Sequence, residues 1–389
     1  MNRKADVIIV GGGVIGSSIA YNLLEDGFDG KVIVFEKDKT YEFASTPRSA
    51  GGIRQLFTTK VNVEMGKYAV DKYSTFQEDM AIDGENAKID FQQNGYLFLV
   101  ENKEDVVALQ RQKKVQKNCG VDSTILQKDE LKNIIPELNT DDLSGGIYSG
   151  LDGYLDPYSV MQGYIKKSRQ LGATYVNEKI VKVNKNGNNV SGVFTENGTE
   201  YYAPIVINCA GPWGTELSET VNLPLPIIPL KRQIIQFNIE EPLENRLPLT
   251  VDPTGVYFRH EGNSIICGFG EEVKPGIEFS WKRSFFTDFL WPILANRIPN
   301  FERAKIQSGW AGIYSHNTMD QNAIVGEHPE LKGYHLALGF SGHGMQQAPA
   351  VGKGLSEYIR NNHYDTIDLS VLGFDRFKNN KLVIEEAIV

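Results

Sequence analysis

The sequence predicts an α/β fold in which a buried parallel sheet forms one lobe, together with an α+β second lobe built on an antiparallel sheet. Short apolar runs separated by helical patterns, at residues 6–10, 32–35 and 205–207, indicate buried parallel strands. Hairpin signals at 173–208 and proline-rich strand patterns at 216–320 indicate the antiparallel parts. With 389 residues, the chain is long enough for two to three domains.

The first 36 residues contain the most informative local pattern. The apolar run 6–10 leads directly into the motif Gly11-Gly12-Gly13-Val14-Ile15-Gly16, and the amphipathic segment that follows stops at Gly27. A second apolar run, 32–35, ends on Glu36, twenty residues after the last motif glycine. This succession of strand, glycine turn, helix, strand and acid is typical of a dinucleotide-binding Rossmann domain.

Each part of this unit has a mechanical role. Gly11 permits the tight turn, Gly13 lets backbone N–H groups approach a pyrophosphate, and Gly16 packs the helix close to the strand. Glu36 accepts hydrogen bonds from a ribose diol, which disfavours a 2′-phosphate and predicts FAD or NAD rather than NADP. The remaining predicted cofactor contacts of the unit are Val14, Ile15 and Lys37.

Composition excludes several classes of protein. The net charge is −9 and no Lys/Arg cluster is long enough to follow a phosphate backbone, so nucleic acid is not expected as a partner. Three dispersed cysteines fit a reducing compartment and predict no structural metal. No apolar run approaches the ~18 residues of a membrane span, and the chain enters its first strand without room for a signal peptide. A cytoplasmic location is therefore expected.

The loop 44–54 is a second segment of small residues, and it contains Arg48 and Arg54. If it folds against a flat ligand, its hydroxyl residues can donate to phosphate and its paired glycines allow close backbone approach. A solvated surface loop is the alternative. The predicted ligand contacts are Ser45, Thr46, Gly51, Gly52 and Ile53.

From about residue 81 to residue 150 the regular alternation of strands and helices breaks. A helix is predicted at 61–80, and a strand at 95–100 with helices at 103–118 and 129–136 indicates an inserted segment. Asp156-Pro157 is a good helix start, and this next helix runs to Gly172.

A three-stranded meander follows. The predicted strands are 175–183, 190–195 and 200–202, with Asn-Gly turns at 186–187 and 197–198. A meander that returns to a parallel strand is characteristic of glutathione-reductase-like FAD domains, whereas plain NAD domains continue with strand–helix units. The pattern therefore shifts the predicted cofactor from NAD to FAD. It also predicts cofactor contacts from Ala210, Gly211 and Trp213, which follow the returning strand.

Residues 216–320 predict an antiparallel sheet that forms a substrate lid, with a helix near 284–296, and the segment 309–314 is expected to exit this sheet. The next glycine-rich turn, 339–345, joins a strand to a helix and directs backbone N–H groups at whatever lies above it. In a flavoenzyme these N–H groups are expected to bind the N1–C2=O edge of the flavin, which becomes anionic on reduction. A turn needed only for packing is the alternative. The predicted contacts are Gly342, His343, Gly344 and Met345.

These assignments divide the chain into two discontinuous domains. The FAD-binding domain is predicted to comprise 1–80, 150–215 and 321–389. The substrate or cap domain is predicted to comprise 81–149 and 216–320.

Together these motifs resemble the D-amino acid oxidase / sarcosine oxidase family of FAD-dependent oxidoreductases over essentially the whole chain, and they look closest to the sarcosine oxidase β-subunit and dye-linked proline dehydrogenase branch. The matching segments are Gly11 to Glu36, Ser45 to Arg54, Ala210 to Trp213, Gly309 to Tyr314 and Gly339 to Met345. The resemblance implies a two-lobed fold and oxidation of an amino acid at the flavin face. It also implies that Ile180 contacts adenine through its backbone.

Four positions depart from the family pattern. Gly312 aligns with a flavin-linking cysteine, so FAD is expected to be non-covalent. An oxygen-activating lysine falls on or near Ile266, and a carboxylate-anchoring lysine is replaced by Gln346. Tyr314 stands where glycine oxidases have arginine. Oxidase activity and the glycine oxidase mode of substrate binding are therefore in question.

Removing hydride from an α-carbon requires that carbon to be held over flavin N5, a clamp for the carboxylate and a neutral amine. Arginine is the best clamp because its fork matches a carboxylate. The candidates are Arg54, Arg259 and, third, Arg48 for the carboxylate, and His343, His260 and Tyr314 for the amine. For each arginine the alternative is a role in bridging loops or in holding the flavin.

The sequence therefore predicts an FAD-dependent enzyme that oxidises a small amino acid, with a secondary or N-methylated amine as the preferred substrate and oxygen or a carrier as electron acceptor. A 2-hydroxy acid dehydrogenase on the same fold is one alternative. A flavin-binding assembly or scaffold protein without turnover is another. Homo- or hetero-oligomer formation is left open.

Overall fold

The strand Val7–Val10 lies in the interior of a six-stranded sheet and is paired on both edges. The structure, a computed structural model, describes residues 3–386. Val7 lies opposite Ile205 on one side and Val32 on the other, both in parallel register. The order across the sheet is Ile324–Glu327, Tyr334–Leu338, Ile205–Asn208, Val7–Val10, Val32–Phe35 and Thr174–Val176, with the first strand antiparallel and the others parallel.

The two faces of this sheet bury different partners. Ile8 and Val10 pack into a core shared with the meander, whose strands are Ile180–Asn186, Asn189–Thr195 and Glu200–Tyr202. Val7 and Ile9 pack into a second core with the helices Val14–Glu25 and Gly344–Asn361. Because both faces are covered, the strands are continuous apolar runs, as their sequence predicted.

The described α-helices range from 4 to 18 residues in length. The α-helices are Val14–Glu25, Lys60–Ser74, Phe76–Asp79, Lys103–Asn118, Pro157–Gln170, Gly214–Glu219, Trp291–Arg297, Gly344–Asn361 and Asp375–Lys378. Single turns of 3₁₀-helix occur at Thr46–Arg48, Lys128–Asn133, Gly211–Trp213, Pro299–Arg303 and Ser370–Leu372, and Phe285–Leu290 is π-helical.

The second lobe is built on an eight-stranded sheet. Its order is Lys305–Asn317, Ile227–Asn238, Ser264–Gly268, Tyr257–Glu261, Leu249–Val251, Tyr96–Val100, Gly145–Ser149 and Thr124–Gln127. Its neighbours are antiparallel except for Leu249–Val251, which runs parallel to Tyr96–Val100. The sheet therefore combines strands from 96–149 with strands from 227–317. A two-stranded ribbon, Gly52–Ile53 with Gly153–Tyr154, lies apart from it. The residue bounds proposed for the two domains remain a prediction.

Several elements differ from their predicted form. The single strand predicted at 175–183 is two strands in different sheets, because the polar residues 177–179 carry the chain from the parallel sheet into the meander. The segment 309–314 does not exit the second sheet but forms the middle of its edge strand, Lys305–Asn317. The helix predicted at 61–80 is interrupted at Thr75. The helix predicted near 284–296 begins with a π-helical segment.

The start of the helix Pro157–Gln170 tests the prediction that Asp156 caps this helix. Asp156 Oδ1 accepts the backbone N–H of Tyr158 at 3.0 Å, so it caps the helix as predicted. Asp156→Ala is expected to lower the free energy of unfolding by about 1 kcal/mol, because this N–H loses its partner. Urea unfolding measures the change, and Asp156→Asn, which keeps an acceptor oxygen, is the control. Equal losses in both variants would contradict a capping role.

Candidate active site

A cavity of about 630 Å³ opens at the carboxyl ends of the parallel strands. Val10 and Phe35 end two of these strands and line it, and Cys209 lines it directly after a third. Ligands of open α/β sheets bind at this edge. The position of the cavity follows from the direction of the strands.

The glycine motif forms one wall of this cavity. Gly11 has a φ of +105°, and a Cβ built on it would lie 2.3 Å from the carbonyl oxygen of Cys209. A Cβ on Gly16 would lie 2.0 Å from the carbonyl oxygen of Gly11, so this glycine lets the helix approach the turn as expected. Gly13 lines the cavity at the start of the helix, and the first-turn sequence Val14-Ile15-Gly16-Ser17 contains no acid. The positive end of the helix is thus suited to an anion.

Glu36 lines the same cavity and is held by two backbone donors. Its carboxylate accepts the N–H of Gly12 at 2.9 Å and that of Asp38 at 3.0 Å. Burial nevertheless raises the pKa of Glu36 above its ordinary value. Next to it, the ammonium of Lys37 lies 3.0 Å from the ring centroid of Trp213, and burial lowers the pKa of Lys37 to about 8. This end of the cavity offers acceptors for a ribose and an aromatic surface.

The loop 44–50 joins the cavity to the second lobe. Ser45 Oγ donates to the carbonyl oxygen of Ile313 at 2.6 Å, and Arg48 Nη1 donates to that of Ala311 at 2.8 Å. Thr46 Oγ1 accepts the N–H of Val14 at 3.2 Å. Ser45 and Thr46 both line the cavity, and both are also hydrogen-bonded within the protein.

Most of the predicted cofactor contacts meet at this cavity. Those lining it are Gly11, Gly13, Val14, Ile15, Glu36, Lys37, Ser45, Thr46, Ile180, Ala210, Gly211, Trp213, Gly342, Gly344 and Met345. Gly51 and Ile53 are placed elsewhere: a Cβ on Gly51 would lie 2.2 Å from the carbonyl oxygen of Leu155, and Ile53 is fully buried in a separate core. These two residues shape the loop rather than contact the cavity.

A second, smaller cavity of about 60 Å³ adjoins the first, since both share lining residues. The shared residues are Ser49, Ala50, Tyr257, Tyr314 and Gly342, and the smaller cavity is completed by Gly52, Arg54, Tyr96, Leu249, His343 and Gln346. Both lobes contribute to its wall. We call it the small pocket.

Arg54 is the charged residue that lines the small pocket within the described part of the chain. Its side chain is 1% exposed, and Nη1 donates to the carbonyl oxygen of Leu56 at 2.6 Å. Nη2 lies 3.2 Å from Nε2 of His343; because a guanidinium only donates, this imidazole nitrogen is the acceptor. Burial, with the charge of Arg54, lowers the pKa of His343 to about 3. His343 is therefore neutral at physiological pH and orients Arg54.

Gly342 and Tyr314 form the boundary between the two cavities. Gly342 has a φ of +98°, and a Cβ there would lie 2.5 Å from the Tyr314 ring. The glycine thus lets the tyrosine ring lie against the turn 339–345. Burial raises the pKa of Tyr314, so its hydroxyl stays protonated.

Two catalytic candidates are not where the sequence placed them. Within residues 3–386, neither Arg259 nor His260 lines either of the two cavities. Arg259 Nε donates to the carbonyl oxygen of Ala50 at 2.7 Å, and its Nη1 pairs with Glu261. His260 Nδ1 accepts the N–H of Leu247, and burial lowers the pKa of His260 to about 4. Arg259 thus supports the loop that lines the pocket, which corrects its expected role as a clamp.

Three cavity residues were missed or underrated by sequence reasoning. Tyr96 reaches the small pocket from the segment that the sequence indicated as an insertion, and Tyr257 lines both cavities. Arg232 lines the large cavity with its guanidinium 5.3 Å from the Tyr314 ring. Strand pairing places all three, and no local motif marks them. Of the positions that depart from the family pattern, Gly312 lines the large cavity and Gln346 the small pocket, whereas Ile266 is buried in the second sheet.

Comparison with known proteins identifies the family. A family model described as FAD dependent oxidoreductase (DAO) matches residues 6–358. The chain belongs to the DAO family of FAD-dependent oxidoreductases. FAD-dependent oxidoreductase domain-containing protein 1 of Xenopus laevis is 34% identical over 427 residues, which cover 100% of this chain and 85% of that protein.

Two further relatives have more specific names. Human mitochondrial sarcosine dehydrogenase is 28% identical, over 91% of this chain but 39% of its own length. The crystal structure of L-proline dehydrogenase from P. horikoshii is similar with a TM-score of 0.89 and 27% sequence identity, covering 98% of this chain and 100% of that chain. These findings confirm the family resemblance, the fold class and FAD as the cofactor of this oxidoreductase.

The large cavity suits FAD on the chemistry of its walls. Backbone N–H groups and a helix start lie where a pyrophosphate binds, and the carboxylate of Glu36 lies one strand away for the ribose. Among residues 3–386, no group of three or more His, Cys, Asp or Glu side chains could hold a metal ion. In the same part of the chain, no helix has the length and apolar character to cross a membrane.

The carboxylate of Glu36 provides the test of the cofactor site. Glu36→Ala is expected to weaken FAD binding at least about tenfold, because charge-assisted hydrogen bonds to the ribose are lost. Flavin absorbance after dialysis and titration of the apoprotein with FAD measure the effect. Glu25→Ala, an exposed acid on the adjacent helix, is the matched control. Full flavin retention by the Glu36 variant would contradict the assignment.

Proposed function

We propose that this oxidoreductase oxidises a small amino acid with a secondary or N-methylated amine, sarcosine- or proline-like, by hydride transfer from the α-carbon. One observation carries the proposal: the small pocket adjoins the large cavity and is lined by the guanidinium of Arg54. The names of two relatives, sarcosine dehydrogenase and L-proline dehydrogenase, support a secondary or N-methylated amino acid as the substrate.

The small pocket matches such a substrate in size and polarity. Its volume of about 60 Å³ leaves room for a few heavy atoms, and the rings of Tyr96, Tyr257 and Tyr314 supply apolar surface for a methyl group or a small ring. Burial raises the pKa of Tyr96 to about 12, and burial also raises the pKa of Tyr257. The tyrosine hydroxyls therefore remain neutral and act by hydrogen bonding.

The charges around the pocket favour reaction of a neutral amine. When bound, FAD supplies the acceptor for the hydride and its electron pair. Arg54 binds the substrate carboxylate, and its position is held by Leu56 and His343. Among the described residues, the small pocket has no acidic side chain in its wall that would stabilise an ammonium. The positive charge of Arg54 thus disfavours a second positive charge beside it and favours the neutral form of the amine. His343 stays neutral and uses Nε2 to accept the hydrogen bond of Arg54.

An anaerobic spectral titration tests the reaction class. Sarcosine, L-proline, glycine, D-alanine and finally a 2-hydroxy acid are added in turn to the FAD-loaded protein, and the flavin band near ~450 nm is followed. Bleaching by sarcosine or L-proline is expected, and admission of air then separates an oxidase from a dehydrogenase. Bleaching only by 2-hydroxy acids would replace the amine with a hydroxyl as the reacting group. A flavin that none of these compounds reduces would favour the non-catalytic alternative.

Replacement of the proposed clamp gives a second test. Arg54→Lys retains the charge but loses the planar fork, so KM for the amino acid is expected to rise about tenfold or more while FAD content stays constant. Steady-state kinetics and the flavin-to-protein ratio measure both quantities. Arg246→Lys, at an exposed position that lines neither cavity, is the matched control. An unchanged KM in the Arg54 variant would remove Arg54 from substrate binding.

A further inference from the structure

Glu385 is a buried carboxylate in the segment that follows the helix Asp375–Lys378. Its side chain is 4% exposed and accepts hydrogen bonds from three residues. Thr58 donates its N–H at 2.7 Å and its hydroxyl at 2.6 Å, Thr59 donates the same groups at 3.1 and 2.8 Å, and Asn62 Nδ2 donates at 3.0 Å. Although burial opposes ionisation, hydrogen bonds from Thr58 and Asn62 hold the pKa of Glu385 below its ordinary value. The carboxylate is therefore ionised.

Two of the residues that donate to Glu385, Thr58 and Thr59, directly follow in sequence the residues that surround the Arg54 guanidinium. Leu56 provides the carbonyl acceptor for Nη1 of Arg54, and the ring of Phe57 lies 4.0 Å from the Arg54 guanidinium carbon. The same ring meets the His343 imidazole edge-on at 5.5 Å. Because Thr58 is the next residue, the hydrogen bonds of Glu385 fix the end of the loop that encloses the guanidinium.

A second route leads from Glu385 to the opposite wall of the small pocket. Asn62, which donates to Glu385, accepts a hydrogen bond from Gln347 Nε2 at 3.0 Å. Gln347 lies in the first turns of the helix Gly344–Asn361, directly after the pocket residue Gln346. One carboxylate therefore ties both walls of the pocket together.

We propose that Glu385 is a positioning residue of the substrate pocket. It fixes the residues that enclose Arg54, and it supplies a buried negative charge that weakens the binding of substrate and product carboxylates to Arg54. The inference rests on the proposed function, since it takes the small pocket as the carboxylate site. A fully buried guanidinium needs such compensation. Burial lowers the pKa of Arg54, and the charges of Glu385 and Asp152 act in the opposite direction. The weakened binding permits release of a carboxylate product.

The sign of the change in carboxylate affinity distinguishes loss of the Glu385 charge from structural damage around Arg54. Loss of packing around Arg54 would weaken the binding of every carboxylate, whereas loss of the opposing charge strengthens it. Glu385→Gln removes the charge at constant size. Glu385→Asp keeps the charge on a shorter side chain, and Glu386→Gln makes the same amide substitution at the exposed neighbouring residue.

The experiment measures the affinity of acetate for the FAD-loaded protein and its three variants by calorimetry at pH 8, followed by steady-state kinetics with the amino acid that reduces the flavin. At this pH Asp152, whose pKa burial raises to about 6, stays ionised and does not confuse the comparison. Glu385→Gln is expected to bind acetate roughly fivefold more tightly and to show a lower KM together with a lower kcat. Glu386→Gln is expected to bind acetate as the unsubstituted protein does. Glu385→Asp, which keeps the opposing charge, is expected to show no tightening of acetate binding.

Acetate affinity that is unchanged or weaker in Glu385→Gln would overturn the inference while leaving the proposed function intact. Tighter binding in Glu386→Gln as well would also overturn it, because the effect would then be one of overall charge. If the unsubstituted protein neither binds acetate nor is reduced by any amino acid, the carboxylate pocket itself is wrong, and the proposed function fails with it.

Discussion

The strand Val7–Val10 is enclosed on every side, and the architecture of the FAD lobe follows from that constraint. Its edges are occupied by two parallel neighbours and its faces by two separate cores. Where the chain leaves this strand, it must turn sharply away from the sheet to avoid the neighbouring strands. Gly11 permits this turn because it adopts a positive φ. The helix that follows must then pack close to the turn, which Gly16 permits. The cofactor cavity is the space left above these turns.

The active site depends equally on the contact between the two lobes. The loop 44–50 begins in the FAD lobe, yet its side chains are bonded to the edge strand Lys305–Asn317 of the second sheet. The indole of Trp310 returns a hydrogen bond to the carbonyl oxygen of Arg48 at 3.0 Å. As a result, the small pocket has walls from both lobes, which hydrogen bonds from side chains to backbone carbonyl groups hold together.

Some parts of this arrangement were readable from the sequence because they are local. The glycine motif, Glu36 and the turn 339–345 lie at fixed spacings within single strand–turn–helix units, and the structure brings them to one cavity. The chemistry of its side chain made Arg259 a candidate clamp, but the sequence could not show that the carbonyl oxygen of Ala50 would accept a hydrogen bond from its guanidinium. Tyr96 and Glu385 act through partners far away in sequence, so no local pattern could reveal them. Where strand pairing or tertiary hydrogen bonds decide a residue's role, the sequence of one chain does not suffice.

The parallel pairing of Leu249–Val251 with Tyr96–Val100 has a consequence for how the protein forms. Strands so far apart in the chain cannot pair until the whole intervening length, including the meander, has been synthesised. One edge of Tyr96–Val100 therefore stays unpaired during synthesis until residue 251 has been added. The pocket wall made by Tyr96 and Tyr257 is consequently completed late, and this edge is exposed to association with other chains until then.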